Sequence, residues 1–175
     1  MDRAQIFSLD IFIAVGIFIL IILSTMTVWE YSREKISVNE MRNDMEIIAR
    51  NSLSVLVETR GNPSNWSSYV FNESNINSLG LADGFLVLNQ TKISSLVLGN
   101  YQAAKRILGI LGPNYEFRLN LAVWNGNAYA DTYSIGLIPN SSASEVVRVE
   151  RFALLNGTWA KVTMKLWKSC EGVLC

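Results

Sequence analysis

A continuous apolar segment near the N-terminus constrains the fold of this chain most strongly. The 18 residues from Ile11 to Val28 carry no charge and are mostly aliphatic or aromatic. As an α-helix they would extend roughly 27 Å, close to the thickness of a bilayer core. Trp29 and Tyr31 follow, at the position where aromatic side chains favour the membrane interface. No A-x-A-like cleavage site follows the segment, so we predict a retained transmembrane helix over residues 5–31.

Composition and motifs exclude several classes of function. The 175 residues include 15 basic and 15 acidic side chains, without the basic excess that nucleic-acid-binding domains carry. Histidine is absent, which removes the usual general base and the commonest metal ligand. No P-loop, GxGxxG, GxSxG or HExxH motif occurs. We therefore expect no enzyme activity, no catalytic residues, no metal, no cofactor and no nucleic-acid partner.

The polar flank before the apolar segment reads "MDRAQIFSLD" and places Arg3, Ala4 and Gln5 ahead of the hydrophobic run. It resembles the class III signal peptide of archaeal type IV pilin-like proteins. The resemblance implies a leader of residues 1–4, cut between Ala4 and Gln5 by a prepilin-type peptidase, and an apolar helix that stays on the product. The alternative is an uncleaved signal anchor, in which Asp10 lies among the lipid headgroups.

The same resemblance gives Asp10 a role in assembly. In pilins, an acidic residue early in the mature chain pairs with the N-terminal amine of a neighbouring subunit. Asp10 would be the sixth residue after the implied cut, and it is Asp rather than Glu. A lone charge in an apolar bundle is costly unless it is paired. The implied partners are the membrane and other pilin-like subunits or further copies of this chain.

Two signals disagree about the orientation in the membrane. Four basic residues follow the apolar segment, namely Arg33, Lys35, Arg42 and Arg50, and the positive-inside rule would place the C-terminal part in the cytoplasm. Five glycosylation sequons favour an exported domain instead, and they begin at Asn65, Asn72, Asn89, Asn140 and Asn156. A pilin-type signal also holds the N-terminus inside. We predict a cytoplasmic N-terminus and an extracellular head, in the cell membrane or in an extracellular filament.

The helix is predicted to continue beyond the membrane over residues 32–60. No Pro or Gly occurs in this stretch before the turn-forming "TRGNPSNWSS" ends it. An apolar stripe with 3–4 spacing runs through Val38, Met41, Met45, Ile48, Ser52 and Val55. The stripe either buries the helix against its own head or contacts neighbouring subunits.

The remaining residues, 61–175, are predicted to form an α+β head. Helical spacing in "NQTKISSLVLGNYQAAKRILGILG" indicates two short helices broken near Gly99 and Asn100. The period then changes to two, and four strands follow: "YEFRLNLAVW", "NAYADTYSIGLI", "SEVVRVERFALL" and "TWAKVTMKLWK". Asn-Gly pairs, which are preferred hairpin turns, lie between the first two strands and between the last two. The simplest topology is a four-stranded antiparallel β-meander packed on the helices.

Several short motifs follow one another through the head: "GNPSNWSS", "LGLADG", "LNQTKISSL", "YQAAKRILG", "YEFRLNL", "VRVERFALLNG" and a closing "KLW". In this order they resemble an archaeal pilin-like family that joins a class III-type N-terminus to a small helix-and-sheet head. The resemblance covers most of the chain and implies a membrane-anchored role at the cell surface. It implies no catalytic residues.

The two cysteines, Cys170 and Cys175, are close together at the C-terminal end. They lack the further ligands that a zinc site needs. Outside the cell they can close a short disulfide loop. The alternative is two free thiols on a frayed tail.

The last predicted strand has a mixed aromatic and cationic face. Trp159, Lys161, Lys165 and Trp167 alternate along it, opposite an apolar face. One interpretation is that helices cover this face. The other is a surface patch for a partner subunit or a surface polysaccharide.

Two functional hypotheses from different classes fit these features. The first is a pilin-like structural subunit, held in the membrane after processing and able to enter a filament. The second is a surface binding or adhesion module that never polymerises and is held by an uncleaved signal anchor. The N-terminal residue of the protein purified from cells would separate them best.

Overall fold

The computed structural model describes residues 2–112, 114–140 and 143–169, without the side chains of residues 2–9, 34, 37 and 38. Its helices are α1 (Asp2–Glu58), α2 (Gln90–Leu98) and α3 (Tyr101–Ile107), and a 3₁₀ turn spans Trp66–Ser68. Its strands are β1 (Ala82–Gly84), β2 (Val87–Leu88), β3 (Tyr115–Trp124), β4 (Tyr129–Gly136), β5 (Ala143–Leu155) and β6 (Thr158–Ser169). The predicted α+β class is therefore confirmed. The chain divides after Met41 into two compact units, of which the second is the head.

The first unit contains the apolar segment predicted from the sequence. The 24 residues Asp10–Arg33 have a mean hydropathy of 2.8 and form a helix long and apolar enough to cross a membrane. At roughly 36 Å, it exceeds the roughly 30 Å of a bilayer core. All side chains of this stretch are exposed. These are properties of a membrane anchor or a signal sequence.

Three hydroxyl groups interrupt the apolar surface of this stretch. Ser24 Oγ donates to the Ile21 carbonyl at 2.9 Å, and Thr25 Oγ1 donates to the same carbonyl. Thr27 Oγ1 donates to the Ser24 carbonyl at 2.9 Å. Each hydroxyl is thus satisfied within its own helix, as the polar groups of a lipid-facing helix need to be.

The part of α1 that belongs to the head is amphipathic. Its buried face consists of Met45, Ala49, Ser52, Leu53, Leu56 and Val57. The predicted stripe was partly wrong, because Val55 is exposed and Ile48 is only half-buried. The stripe followed a heptad period of 3.5 residues, whereas a straight helix in a globular core follows 3.6 residues and drifts by roughly 20° per heptad.

The sheet differs from the predicted meander. It has six strands in the order β1-β2-β5-β6-β3-β4, and it is mixed because β2 runs parallel to β5. The four predicted strands exist as β3 to β6. The four-stranded meander is nevertheless wrong, since β6 lies between β5 and β3 and two short strands extend the sheet beyond β5.

Burial explains why β6, and not β4, takes a central place. The core-facing residues of β6 are all fully buried, namely Ala160, Val162, Met164 and Leu166. In β4 only Ile135 is buried, so β4 suits an edge that solvent reaches. β1 and β2 have three and two residues, too few for an alternating pattern to show in the sequence.

The turn between β5 and β6 is the one the sequence predicts. Asn156 and Gly157 form a two-residue loop between the paired residues Leu155 and Thr158. Their φ angles are 50° and 79°. Positive φ at both positions is the type I′ geometry that Asn-Gly favours, so this turn fixes the register of the hairpin.

The two predicted head helices are also confirmed, with the break at Gly99 and Asn100. Lys92 of α2 is buried, and its ammonium group donates to the carbonyls of Arg60 and Ala82 at 3.0 Å each. A buried charge needs such partners to offset the loss of water. Lys92 thereby ties α2 to the chain that follows α1.

Two segments cross closely just after α1. The indole of Trp66 is fully buried and donates to the carbonyl of Gly80 at 2.8 Å. Ala82 N donates to the carbonyl of Thr59 at 3.0 Å. A Cβ on Gly61 would lie 2.8 Å from the backbone nitrogen of Gly80. Two glycines therefore permit a backbone approach that larger residues would prevent.

Candidate functional site

One face of the sheet carries the polar side chains of the four long strands. The register places Lys165 of β6 between Arg118 of β3 and Arg148 of β5. In the same way Lys161 lies between Ala122 and Phe152. Side chains paired in this manner share a face, so cations from three strands are brought together.

The sheet curls around this face. The rings of Tyr129 in β4 and Phe152 in β5 have centroids 6.1 Å apart, although β3 and β6 lie between the two strands. Three strand spacings would amount to roughly 14 Å in a flat sheet. The concave surface encloses a cavity of about 320 Å³, hereafter the groove, with a polar lining of Asn120, Asp131, Arg148, Lys161, Thr163 and Lys165. Its volume lies at the lower end of the roughly 300–1,000 Å³ of ligand pockets.

Glu150 lies beside the groove and neutralises part of its positive charge. Its carboxylate pairs with Arg148, lies 3.9 Å from Lys161 Nζ and accepts a hydrogen bond from Thr163 Oγ1 at 3.2 Å. The hydrogen bond from Arg148 is the main cause that lowers the pKa of Glu150 below its ordinary value of 4.5. Because folding lowers this pKa, the stabilisation is complete above about pH 4.5 and is lost as the pH falls through the folded-state pKa.

Two charged groups that line the groove have no partner among the residues that the structure describes. They are the Lys165 ammonium and the Asp131 carboxylate. Arg118 is engaged, since its Nε donates to Asn120 Oδ1 at 2.9 Å. The lining therefore offers one unpaired cation, one unpaired carboxylate and the two cations that share Glu150.

An aromatic band, comprising Trp124, Tyr129 and Trp159, borders the groove. Trp124 pairs with Tyr129, and the β3–β6 pairing ends at Val123 and Ala160, the residues that adjoin Trp124 and Trp159 along their strands. Trp159 is 57 % exposed and Trp124 is 37 % exposed. The Trp124 and Tyr129 rings meet edge to face with centroids 5.1 Å apart, and Lys161 Nζ lies 5.3 Å from the Tyr129 centroid. Tyr129 belongs to both the band and the groove lining.

Three of the four residues of the predicted surface patch are accessible to solvent. Trp159 is exposed, and Lys161 and Lys165 line the groove. Trp167 is only 2 % exposed, so its assignment to a surface patch was wrong. Trp167 pairs with Glu116 of β3, and the Glu116 carboxylate is contacted by Tyr101 and Lys105 of α3. Trp167 therefore lies at the end of the face that α3 covers.

The groove residues from other strands were missed by the sequence reasoning. Arg148 and Asp131 reach the groove only because β6 lies between β5 and β3, and that order was not predicted. The turn that brings Tyr129 opposite Trp124 was also predicted wrongly. An Asn125-Gly126 loop would pair Trp124 with Asn127, whereas the structure pairs Trp124 with Tyr129, and Asn125 N donates to the Ala128 carbonyl at 3.0 Å.

A second cluster of titratable groups joins α3 to β3. The Tyr101 hydroxyl donates to the Glu116 carboxylate and accepts from the Phe117 N–H at 3.1 Å. Lys105 Nζ lies 3.0 Å from the same carboxylate. Burial, and then the hydrogen bond to Glu116, raises the pKa of Tyr101, which keeps the phenol protonated. Each of the three groups has a partner within the cluster, so we assign it a structural role.

The five predicted glycosylation sites differ in their exposure. Asn65, Asn140 and Asn156 are exposed, whereas Asn72 and Asn89 are half-buried. Asn156 Nδ2 donates to Gln90 Oε1 at 2.8 Å, and Asn72 Oδ1 accepts from Asn75 N at 2.9 Å.

Asn89 is the most engaged of the five. Its Oδ1 accepts from Lys92 N at 3.0 Å and so caps α2, and its Nδ2 donates to Asp83 Oδ2 at 2.6 Å. Asn65 precedes the 3₁₀ turn without a side-chain cap bond. A sugar on Nδ2 would compete with the Asp83 contact at Asn89, and no such contact exists at Asn65 within the described part of the chain.

The remaining predicted site residues lie at the two ends of the chain. Asp10 is exposed and begins the apolar stretch. The backbone at Arg3, Ala4 and Gln5 is helical and belongs to α1. Cys170 and Cys175 lie outside the described residues.

Comparisons of the chain with known protein families, with curated proteins and with solved structures gave no match. Within residues 2–112, 114–140 and 143–169, no group of three or more Asp, Glu, Cys or His side chains could hold a metal ion. The candidate site therefore rests on the groove and the aromatic band alone.

Proposed function

We propose that this chain is a pilin-like subunit of the cell surface, anchored in the membrane by the apolar part of α1 and able to enter a filament. The observation that carries the proposal is the stretch Asp10–Arg33, which is strongly apolar and exposed on all sides. Such a surface is stable only in lipid or against other apolar helices. The membrane would supply the first environment before assembly, and a filament would supply the second.

The proposed orientation places the N-terminus in the cytoplasm and the head outside. Three exposed sequon asparagines support an exported head, namely Asn65, Asn140 and Asn156. The same helix that begins with the apolar stretch continues to Glu58 and contributes Met45 and Leu53 to the core of the head. Extraction of the helix from the membrane would therefore carry the head with it.

A second candidate function is a surface binding module that does not polymerise. The groove favours it, because ligand sites are concave and combine aromatic side chains with convergent polar groups, and the groove and its exposed rings provide both. This function needs the membrane anchor but neither leader cleavage nor assembly.

Leader processing distinguishes the two functions. For a pilin-like subunit we expect mass spectrometry of the protein from its native cells to find Gln5 as the first residue, either unmodified or cyclised. A matched variant, Gln5→Leu, should retain the apolar helix and show whether the cut depends on the flank. An intact start at Met1 or Asp2 in the wild-type protein would contradict the pilin-like proposal and leave the anchored module.

Glycan occupancy tests the exported head. We expect more glycan on Asn65 than on Asn89, because Asn89 Nδ2 is bound to Asp83 and caps α2 through its other amide atom. Ser67→Ala and Thr91→Ala remove the two sequons without touching either asparagine. Glycopeptide mass spectrometry should show a mass loss for Ser67→Ala and little change for Thr91→Ala. A head without glycan at any sequon, and protected from protease added to whole cells, would contradict the proposed orientation.

A further inference from the structure

We propose that the groove and the aromatic band together bind an acidic saccharide, such as a short chain of uronic acids. The inference gives a ligand class to the second candidate function and rests on the head's own side chains, not on assembly. Its test uses purified protein, so its failure would leave the pilin-like proposal unaffected.

The aromatic band supplies the apolar half of a saccharide site. The C–H face of a pyranose ring is apolar and flat, and it stacks on aromatic side chains that are exposed and held in place. Trp159 is 57 % exposed, and Trp124 is fixed against Tyr129 by their edge-to-face contact. Tyr129 leads from these rings directly into the groove lining.

The groove supplies the polar half. Sugar hydroxyls both donate and accept, and the lining contains groups for both: the Asp131 carboxylate accepts, Lys165 donates, and Asn120 has an amide. Asp131 and Lys165 have no partner among the described residues, so a ligand would not need to break an existing bond with either. When a saccharide binds, these two groups would exchange hydrogen bonds to water for hydrogen bonds to the sugar.

The charge balance favours an acidic sugar over a neutral one. Three cations line the groove, namely Arg148, Lys161 and Lys165, and Asp131 is the one carboxylate in the lining. Glu150 already pairs with Arg148 and lies 3.9 Å from Lys161. Lys165 is left as an uncompensated cation near the centre of the face, between Arg118 and Arg148 in the register. A carboxylate on the ligand would complete this arrangement with a charge-assisted hydrogen bond.

A nucleic acid fits the same surface less well. Nucleic-acid affinity comes from many phosphate contacts along an extended basic track. Here the basic residues converge on one cavity of about 320 Å³ and do not form such a track. The chain as a whole has no excess of basic residues.

The test uses the full chain in phosphatidylcholine nanodiscs, whose lipid carries no net charge. Trigalacturonic acid is titrated by calorimetry and by tryptophan fluorescence, alongside maltotriose, inorganic sulfate and a short oligodeoxythymidine. We expect trigalacturonic acid to bind more tightly than each of the other three. Lys165→Met should weaken it by about tenfold, the loss expected for one charge-assisted hydrogen bond. Trp159→Ala should weaken it and reduce the fluorescence change, leaving the part that arises from Trp124.

Matched controls separate the groove from general charge. Lys168→Met lies on the same strand but alternates to the opposite face, and Tyr69→Ala removes an aromatic ring that is 51 % exposed elsewhere on the head. Both should bind trigalacturonic acid like the wild type. Glu150→Gln should tighten binding, because it removes the carboxylate that competes for Arg148 and Lys161.

Three results would overturn the proposal. Equal binding by the wild type and Lys165→Met would remove the groove from the site. Tighter binding of sulfate than of trigalacturonic acid would indicate an anion site without sugar recognition. Tighter binding of the oligodeoxythymidine would indicate a nucleic-acid surface. Cooperative thermal unfolding of each variant is the check that the head still folds.

Discussion

A Gly80→Ala variant should lose a large part of the stability of the head. Gly80 is buried where the chain crosses itself after α1, and a methyl group there would overlap the carbonyl oxygen of Thr59 and the backbone nitrogen of Gly61. Backbone atoms cannot rotate away as a flexible side chain does, so the two segments would have to separate. We expect a destabilisation of about 3 kcal/mol or more, at the upper end for overpacked cores. That is a large part of the roughly 5–15 kcal/mol that stabilises a typical domain. Thermal unfolding of the full chain in nanodiscs would measure it.

Gly84→Ala is the matched control for this experiment. Gly84 lies four residues further along the chain, and a Cβ there would meet only Val87 Cβ at 4.0 Å, an ordinary van der Waals contact. Its effect should stay within about 0.5 kcal/mol, as for most surface substitutions. Similar unfolding temperatures for Gly80→Ala and Gly84→Ala would show that the crossing can relax and that its glycines are not required.

An Asp10→Asn variant should accumulate in the membrane but form few filaments. The prediction follows from the proposed assembly, in which Asp10 pairs with the N-terminal amine of an adjacent chain. Leaving one partner of such a pair in partly dry surroundings costs about 3–5 kcal/mol. Since about 1.4 kcal/mol changes an equilibrium constant tenfold, assembly should fall by more than about a hundredfold. Sheared extracellular filaments and membrane-bound protein are quantified in parallel by immunoblotting.

Two further variants make the result specific. Asp10→Glu keeps the charge and should restore filaments, whereas Asp44→Asn removes an exposed carboxylate from the head part of α1 and should leave filament yield unchanged. Head unfolding should be the same in all three variants, because Asp10 is exposed. Equal filament yield from Asp10→Asn and the wild type would refute the pairing role. A wild type that forms no filaments under any growth condition would favour the anchored binding module.

Features that depend on residues close together in the sequence could be predicted. The apolar stretch, the break between α2 and α3 and the four long strands follow from composition and periodicity within each segment. The β5–β6 turn follows from Asn156 and Gly157 alone. In each case the controlling interaction lies within a few residues along the chain.

The strand order could not be predicted in the same way. The two hairpins, β3–β4 and β5–β6, can be arranged in several strand orders within one sheet, and the alternation of apolar and polar residues along each strand is the same in all of them. The strand order depends on which strand has the side chains that are best buried in the middle of the sheet. Those of β6, including Val162 and Met164, are fully buried, which favours a central place for β6. The short strands β1 and β2 are held by pairing with each other and with β5, not by a propensity of their own.

The candidate site shows the same division. Trp159, Lys161 and Lys165 were identified because they alternate along one strand. Their neighbours Arg148 and Asp131 needed the strand order, and the burial of Trp167 depended on the end of the sheet at which it lies. Alternation assigns a residue to a face of a sheet but does not tell which part of that face another element covers.

The hydroxyl groups of the apolar stretch have a consequence for how such helices meet. The hydroxyl groups of Ser24, Thr25 and Thr27 each donate their hydrogen to a carbonyl of their own helix. They therefore have no hydrogen left to donate to a neighbouring helix. Where the uncharged segments from Ile11 to Val28 pack together, they are held by shape complementarity and dispersion. The three hydroxyl groups add no directional bond that would fix the axial register of one helix against the next.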